Sequence, residues 1–139
     1  MRVFLDASAL AKRYLVEPGT DTVVEYCRQA EEIILSSICV VEVLSGLHRL
    51  VREKKLAPRQ YHRLKEDLAA DVNQATILDL SPTVIRTAIT CLEHSALRAM
   101  DVIHVASAKE SVCDVFVSAD DRQCRAARLL KLRVEQLGK

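Results

Sequence analysis

Glycine is scarce in this 139-residue chain, with only Gly19, Gly46 and Gly138 present. Glycine-rich phosphate loops need glycines wherever backbone must approach a phosphate closely, so neither G-x-G-x-x-G nor a P-loop can be assembled, and no nucleotide cofactor is expected. Tryptophan is absent, and two Phe and three Tyr leave little aromatic surface on which bases could stack. The five cysteines (Cys27, Cys39, Cys91, Cys113 and Cys124) are odd in number and never closer than eleven positions apart. C-x-x-C redox or zinc spacing is therefore missing, and reduced, buried thiols are expected. Long apolar runs are missing as well. The longest stretch without a charged residue, Ile33 to Val41, has nine residues, too few to span a bilayer. Met1 runs directly into Arg2-Val3-Phe4-Leu5-Asp6 without signal-peptide anatomy. A cytoplasmic protein with no membrane contact is the expectation.

What is present is an ordinary folding composition: 50% hydrophobic residues, 28% charged and a net charge of +1. The length fits one domain over residues 1–139. Short β-branched runs alternate with helical patterns. "RVFLD" (2 to 6), "EIILSS" (32 to 37), "TILDL" (76 to 80), "DVFVSA" (114 to 119) and "RVEQL" (133 to 137) read as strands. Helices are expected over 7 to 17, 20 to 31, 38 to 55, 58 to 73, 81 to 94, 97 to 108 and 121 to 131. Pro18-Gly19 closes the first of these, and Pro58 and Pro82 open two others. Such alternation predicts an α/β fold, a three-layer α/β/α arrangement around a mostly parallel sheet of about five strands.

One carboxylate is out of place. In "LRAMDVIHVASA" (97 to 108), Asp101 interrupts a thoroughly apolar helical stretch, and an unpaired charge out of water costs several kcal/mol or is neutralised. Three more acids occupy comparable places. Asp6 ends the first strand, Glu42 lies near the start of the helix after the second, and Asp120 follows the fourth. Singly, each has an ordinary explanation: Asp6 and Asp120 can cap the helices that follow them, and Asp101 can favour a helix N-terminus through the dipole. Glu42 shares its face with Ile38, Ser45, Gly46 and Arg49, where small neighbours leave space. A parallel sheet with right-handed crossovers, however, gathers all four at the C-terminal edge of its strands, where ligands bind. Crowded carboxylates repel unless a cation neutralises them, and an all-oxygen donor set of high charge suits Mg²⁺ or Mn²⁺.

The segments "VFLDASALAKRYLVEPG", "SSICVVEVLSGL", "LRAMDVIHVASA" and "FVSADDRQCRAA" resemble, in order and spacing, the successive motifs of PIN-domain ribonucleases, especially VapC-like toxins of toxin–antitoxin pairs. The resemblance implies that Asp6, Glu42, Asp101 and Asp120 are the catalytic quartet that holds the metal. Ser8 and Ser118 would be its polar support, with Ser118 standing where the family often has Thr. Asp121 is an extra acid that could reach the metal through water; Asp120, directly after the strand, is preferred. His104 lies on the same helix face as Asp101 and is left outside the metal shell, because a lone helix histidine more often serves the core. The implied chemistry is metal-assisted hydrolysis of RNA phosphodiesters, needing no serine or cysteine nucleophile. The implied partners are a small antitoxin and a second copy of the chain, with higher assembly through the antitoxin.

RNA binding has to be reconciled with the net charge, and the charge is patchy. Arg49 to Lys65 holds seven basic residues against Glu53 alone, and Arg122 to Arg133 holds five against none. Arg52, Arg59 and Arg98 are the candidate RNA contacts, with solvated helix faces as the alternative; Lys12 and Arg13 read as surface charge. The helices over 38 to 73 also carry apolar residues beyond one covering layer, among them Leu44, Leu47, Leu50, Val51, Leu56, Tyr61, Leu64 and Leu68, as a groove for an amphipathic segment would. Two other functions fit parts of the pattern. A catalytically silent PIN-like adaptor for RNA or protein would keep the scaffold. A Mg²⁺-binding receiver-like phosphoacceptor would need a second acid on the first strand and an Asp ending the third, whereas Asp79 falls inside "TILDL".

Overall fold

A computed structural model describes residues 1–138. Five strands, β1 (Arg2–Leu5), β2 (Glu32–Ser36), β3 (Thr76–Leu78), β4 (Val115–Ser118) and β5 (Val134–Gln136), form one sheet in the order β3-β2-β1-β4-β5, with every neighbouring pair parallel. Seven helices connect them: α1 (Ala7–Ala11), α2 (Thr20–Gln29), α3 (Cys39–Arg52), α4 (Pro58–Gln74), α5 (Pro82–His94), α6 (Ala99–Ser111) and α7 (Asp121–Leu129). No helix among the described residues is long and apolar enough to cross a membrane.

The strand period sorts side chains into two cores. Val3, Leu5, Leu35, Val115 and Val117 point to one face, where α1 to α4 bring Leu10, Val23, Val43, Leu47 and Leu68. Phe4, Ile34 and Phe116 point to the other, under Val84 and Ala88 of α5, Val102 and Val105 of α6, and Ala126 and Ala127 of α7. Phe4 and Phe116 stack at 5.8 Å between centroids, which fixes the register of the two central strands on that face. The apolar surplus on α3 and α4 is largely consumed locally: Leu47 and Leu68 are buried, and Leu44, Leu56, Tyr61 and Leu64 pack against the same core.

Strands β2 and β3 extend the sheet to one side of β1, while β4 and β5 extend it to the other. The connection therefore reverses direction between β1 and β4, and the helices that leave these strands, α1 and α7, diverge to opposite faces. That divergence opens a crevice at the strand ends, the switch point at which open α/β sheets bind ligands. The order also differs from the 2-1-3-4-5 of receiver-like sheets. Here β1 lies between β2 and β4, which removes the phosphoacceptor reading.

Several boundaries differ from expectation for local reasons. The first helix, read as 7 to 17, is α-helical only to Ala11. Lys12, Arg13 and Tyr14 then donate to Ala9, Leu10 and Ala11, three residues back, the tightened bonding of a 3₁₀ turn. Lys12 is buried, contrary to its reading as surface charge, and its ammonium pairs with Glu17 at 3.1 Å. Strand β3 stops at Leu78 rather than Leu80, since Ser81 already caps α5 through Val84 N. Helix α6 begins and ends later than the 97 to 108 reading, and Val112 terminates it in the left-handed region, at φ 54° and ψ 47°.

Candidate active site

Asp6 is the best-buried acid, 1% exposed at the end of β1. Its Oδ1 accepts from Ala9 N at 2.9 Å, which caps α1, and from Ser8 Oγ at 2.7 Å; its Oδ2 accepts from Ser118 Oγ at 2.6 Å. The two serines also bind the chain around them. Ser8 Oγ accepts from Ala119 N and Ser118 Oγ from Asp120 N, each at 2.9 Å. The hydroxyls expected to support the acids thus lace the end of β1 to the end of β4. Burial pushes the Asp6 carboxyl above its ordinary pKa, while nearby His104 and the bonds from Ser118, Ser8 and Ala9 N pull it back.

Asp120 sits where β4 hands over to α7 and caps that helix, its Oδ1 accepting from Arg122 N and Gln123 N at 2.9 Å. Asp101 is half-buried in the first turn of α6 and accepts from the side-chain amide of Gln123 at 3.0 Å. Asp121, next to Asp120, is exposed and bonded by Gln136 Nε2. Ser8, Asp101, Asp120 and Asp121 line one cavity of about 940 Å³, with Arg98, Arg122 and Arg125 around them. Glu42 opens instead on an adjacent cavity of about 310 Å³ between α1 and α3, which shares Ser8 with the first.

The acids are gathered at one edge, yet they are not the tight cluster that the sequence pattern implies. Each is held by its own donor, and Glu42 is turned toward His104, whose Nε2 lies 2.8 Å from Glu42 Oε1. His104 is fully buried, and its Nδ1 has no partner. Among the described residues no three His, Cys, Asp or Glu converge closely enough to enclose a metal unaided. A small hard cation does not need such a cage, because Mg²⁺ keeps several waters and takes one or two carboxylates directly. Oxygen donors facing a water-accessible cavity fit that mode; a His/Cys zinc site they do not. Asp101 is therefore tolerated in its helix for a plainer reason than a bound ion: it is half-exposed and bonded by Gln123.

Of the candidate RNA contacts, Arg98 reaches the large cavity. Arg52, at the far end of the 14-residue α3, lies against His48 Nδ1 at 3.0 Å, and Arg59 opens α4; neither borders the cavity. Sequence reading overlooked Gln123, and took Arg122 and Arg125 only as part of the basic run from 122 to 133. Gln123 could have been noticed as a polar residue on the buried face of α7 with Cys124, Ala126 and Ala127. All five cysteines are free, and burial pushes the Cys124 thiol up to about 11, as expected of inert thiols. Another cavity, about 400 Å³ beside Arg13, Cys27 and Asp71, offers less chemistry. There Arg13 Nε and Tyr14 OH already bond Asp71 at 2.9 and 2.6 Å.

Comparison with known proteins bears on this geometry. Residues 3–129 match the family model of the PIN domain. Curated protein sequences yield no match. Among solved structures, FitAcB from Neisseria gonorrhoeae is similar at a TM-score of 0.73 and 20% identity, covering 95% of each chain. DNA-bound VapBC from Salmonella typhimurium is similar at 0.69 and 16%, covering 98% of each chain. VapC20 of Mycobacterium tuberculosis, described as a sarcin-ricin loop cleaving toxin, is similar at 0.67 and 14%, covering 89% of this chain and 94% of that one.

Proposed function

The chain belongs to the PIN-domain family, and from that premise we propose that it is a metal-dependent endoribonuclease acting as the toxin of a toxin–antitoxin pair. The observation that carries this reading is the crevice between β1 and β4, where Asp101 and Asp120 line one cavity with Ser8, whose hydroxyl bonds the buried Asp6. Glu42 lines the adjacent cavity, bonded by His104. Ser8 and Ser118 donate to Asp6 rather than to an imidazole, so neither is activated as a nucleophile.

Mg²⁺ or Mn²⁺, held through water and one or two of Asp6, Glu42, Asp101 and Asp120, would supply the electrophile and lower the pKa of the attacking water. The protein's part is placement. Ser8 and Ser118 fix the Asp6 carboxylate, Gln123 orients Asp101, and the α7 amides orient Asp120. Asp121 stands at the rim, within reach of the same site through water.

A toxin-antitoxin complex from Klebsiella pneumoniae with a similar fold, and VapC20, described as a toxin, support the toxin assignment and its antitoxin partner. The cavity beside Glu42, bordered by the partly exposed Leu15 and Leu50, gives an antitoxin segment a small apolar seat next to the acids. Ile85, Ile89 and Leu92 are exposed at helical spacing on α5 and support pairing with a second copy.

The test is cleavage of purified single-stranded RNA by wild type and by Asp101→Asn, with Mg²⁺ or Mn²⁺ and with EDTA. Wild type should cut only with metal, and the variant should be nearly inactive. Cleavage that persists in EDTA and disappears on mutating His104 would replace this mechanism with metal-free acid–base chemistry. Absence of any cleavage would favour the adaptor.

A further inference from the structure

The large cavity is bordered by both signs of charge. Arg98, Arg122 and Arg125 border it together with Asp101, Asp120 and Asp121. Among the described residues, none of these three guanidinium groups makes a salt bridge or a side-chain hydrogen bond. Some arginines elsewhere are paired: Arg2 bonds Glu32, Arg13 bonds Asp71 and Arg28 bonds Glu25. One turn further along α7, Arg128 bonds Gln136. The cavity arginines are left open even though carboxylates border the same space.

The backbone explains why they stay apart. Asp120 is turned back onto the amides of Arg122 and Gln123, and Asp101 is held by the Gln123 side chain. The α7 arginines project from the exposed side of the helix, while Gln123 and Cys124 are buried. Arg98 stands on the other bank as the N-cap residue of α6. The result is a crevice in which partly buried Asp101 and Asp120 lie beside exposed guanidinium groups. Arg122 and Arg125 are three residues apart on one helix, which sets their Cβ atoms about 5–6 Å apart, a spacing that can meet successive phosphates of one strand.

We propose that Arg98, Arg122 and Arg125 form a phosphate-binding rim that grips the single-stranded RNA backbone on either side of the bond to be cut. A phosphodiester strand brings one negative charge per nucleotide toward a site already rich in carboxylates. Fixed guanidinium forks offset that repulsion and match phosphate oxygens in pairs. The rim is therefore a positioning device whose contribution is to binding. It rests on the ribonuclease reading and adds to it the residues that hold the substrate.

The test uses a fluorescein-labelled oligouridine strand and metal-free full-length protein, with binding followed by anisotropy over a salt series. Counterion release gives a slope of log K against log salt of about 0.7 per phosphate contact for single strands. Arg122→Gln with Arg125→Gln should flatten the slope by about 1.4, and Arg98→Gln by about 0.7. Arg52→Gln with Arg59→Gln should leave it unchanged. All the replaced side chains are exposed, so melting temperatures should match wild type.

Equal slopes for wild type and the rim variants would overturn the rim, as would an equal loss in the Arg52 and Arg59 pair. Cleavage of the same strand by wild type with Mn²⁺, run in parallel, separates the two proposals. Cleavage with unchanged slopes sinks the rim alone, whereas neither binding nor cleavage sinks both. Rim variants that lose binding of a polyglutamate peptide but keep the RNA slope would assign the rim to an acidic protein segment instead.

Discussion

Asp6→Asn in the metal-free protein should raise stability at neutral pH, an unusual outcome for a residue whose carboxylate accepts hydrogen bonds from three donors. The Asp6 carboxyl has a pKa above its ordinary 3.8, chiefly because burial penalises the charged form. Its neutral form is thus favoured in the folded state. Such a group contributes stability that is fully present below the unfolded pKa and is lost as pH rises through the folded one. For every pH unit by which folding raises a carboxyl, about 1.4 kcal/mol is lost on ionising it. A melting entropy of about 2.1 cal/mol/K per residue over 139 residues gives about 290 cal/mol/K, so a loss of that size lowers Tm by about 5 °C.

Asparagine keeps the size and can still cap α1. Its carbonyl retains the bond from Ala9 N, and the Ser118 hydroxyl can turn to accept from the new amide. The assay is a set of melting scans of both proteins in EDTA from about pH 4 to pH 8. The variant should match wild type near pH 4 and exceed it at neutral pH, with the gap opening as pH rises. Adding Mn²⁺ should then raise wild type and leave the variant nearly unmoved, since a ligand stabilises only the native state that binds it. A variant that is less stable than wild type at every pH would refute the reasoning. The bonds from Ser8, Ala9 and Ser118 would then outweigh the burial of charge, and Asp6 would be a structural cap.

Three further outcomes follow from the same geometry. His104→Leu should lower metal affinity or activity by about 10- to 100-fold, the usual effect of losing a ligand's supporting bond, while His104→Gln, which restores a donor toward Glu42, should recover most of it. Equal damage by both, measured as kcat and as Mn²⁺-dependent thermal gain, would make His104 a packing residue. Val112→Asn should raise Tm by about 3–7 °C, because Val112 holds a left-handed conformation that costs a residue with Cβ about 1–2 kcal/mol and that Asn tolerates. An unchanged or lower Tm would show that this helix end stores no strain. Gln123→Leu should reduce RNA cleavage without weakening metal-free RNA binding; a loss of binding affinity would show instead that Gln123 shapes the rim.

The strands were legible because their residues announce both position and orientation. Val3, Leu5, Val115 and Val117 are β-branched or aliphatic and alternate with Phe4 and Phe116 across the sheet, so each run is apolar throughout, as buried parallel strands are. Helix ends were legible where a residue makes the end. Ser81 caps α5 with its hydroxyl, and Pro58 and Pro82 occupy first turns. Helix α6 was misplaced because its N-cap residue, Arg98, makes no side-chain cap bond. Its far end is a valine in a conformation that nothing in the sequence advertises. The first helix was overextended because apolar spacing continues through Tyr14 and Leu15, while the backbone bonding tightens at Lys12.

The acids were legible for a topological reason, and their partners were not. A parallel sheet delivers the residue after each strand to one edge, so Asp6 and Asp120 could be placed from strand ends alone. Nothing comparable locates His104 or Gln123, whose bonds run to Glu42, 62 positions away, and to Asp101, 22 positions away. In the sequence they look like polar interruptions of buried helix faces. In the structure each is a donor reserved for one carboxylate, and each keeps a buried polar atom, His104 Nδ1 and Gln123 Oε1, without a partner. Burying polar side chains costs free energy that an all-apolar core would avoid. Oriented carboxylates are what the chain obtains in return. The spread of the acids, each on its own donor, follows from the same arrangement: charge separation at this edge is set by the protein's own hydrogen bonds.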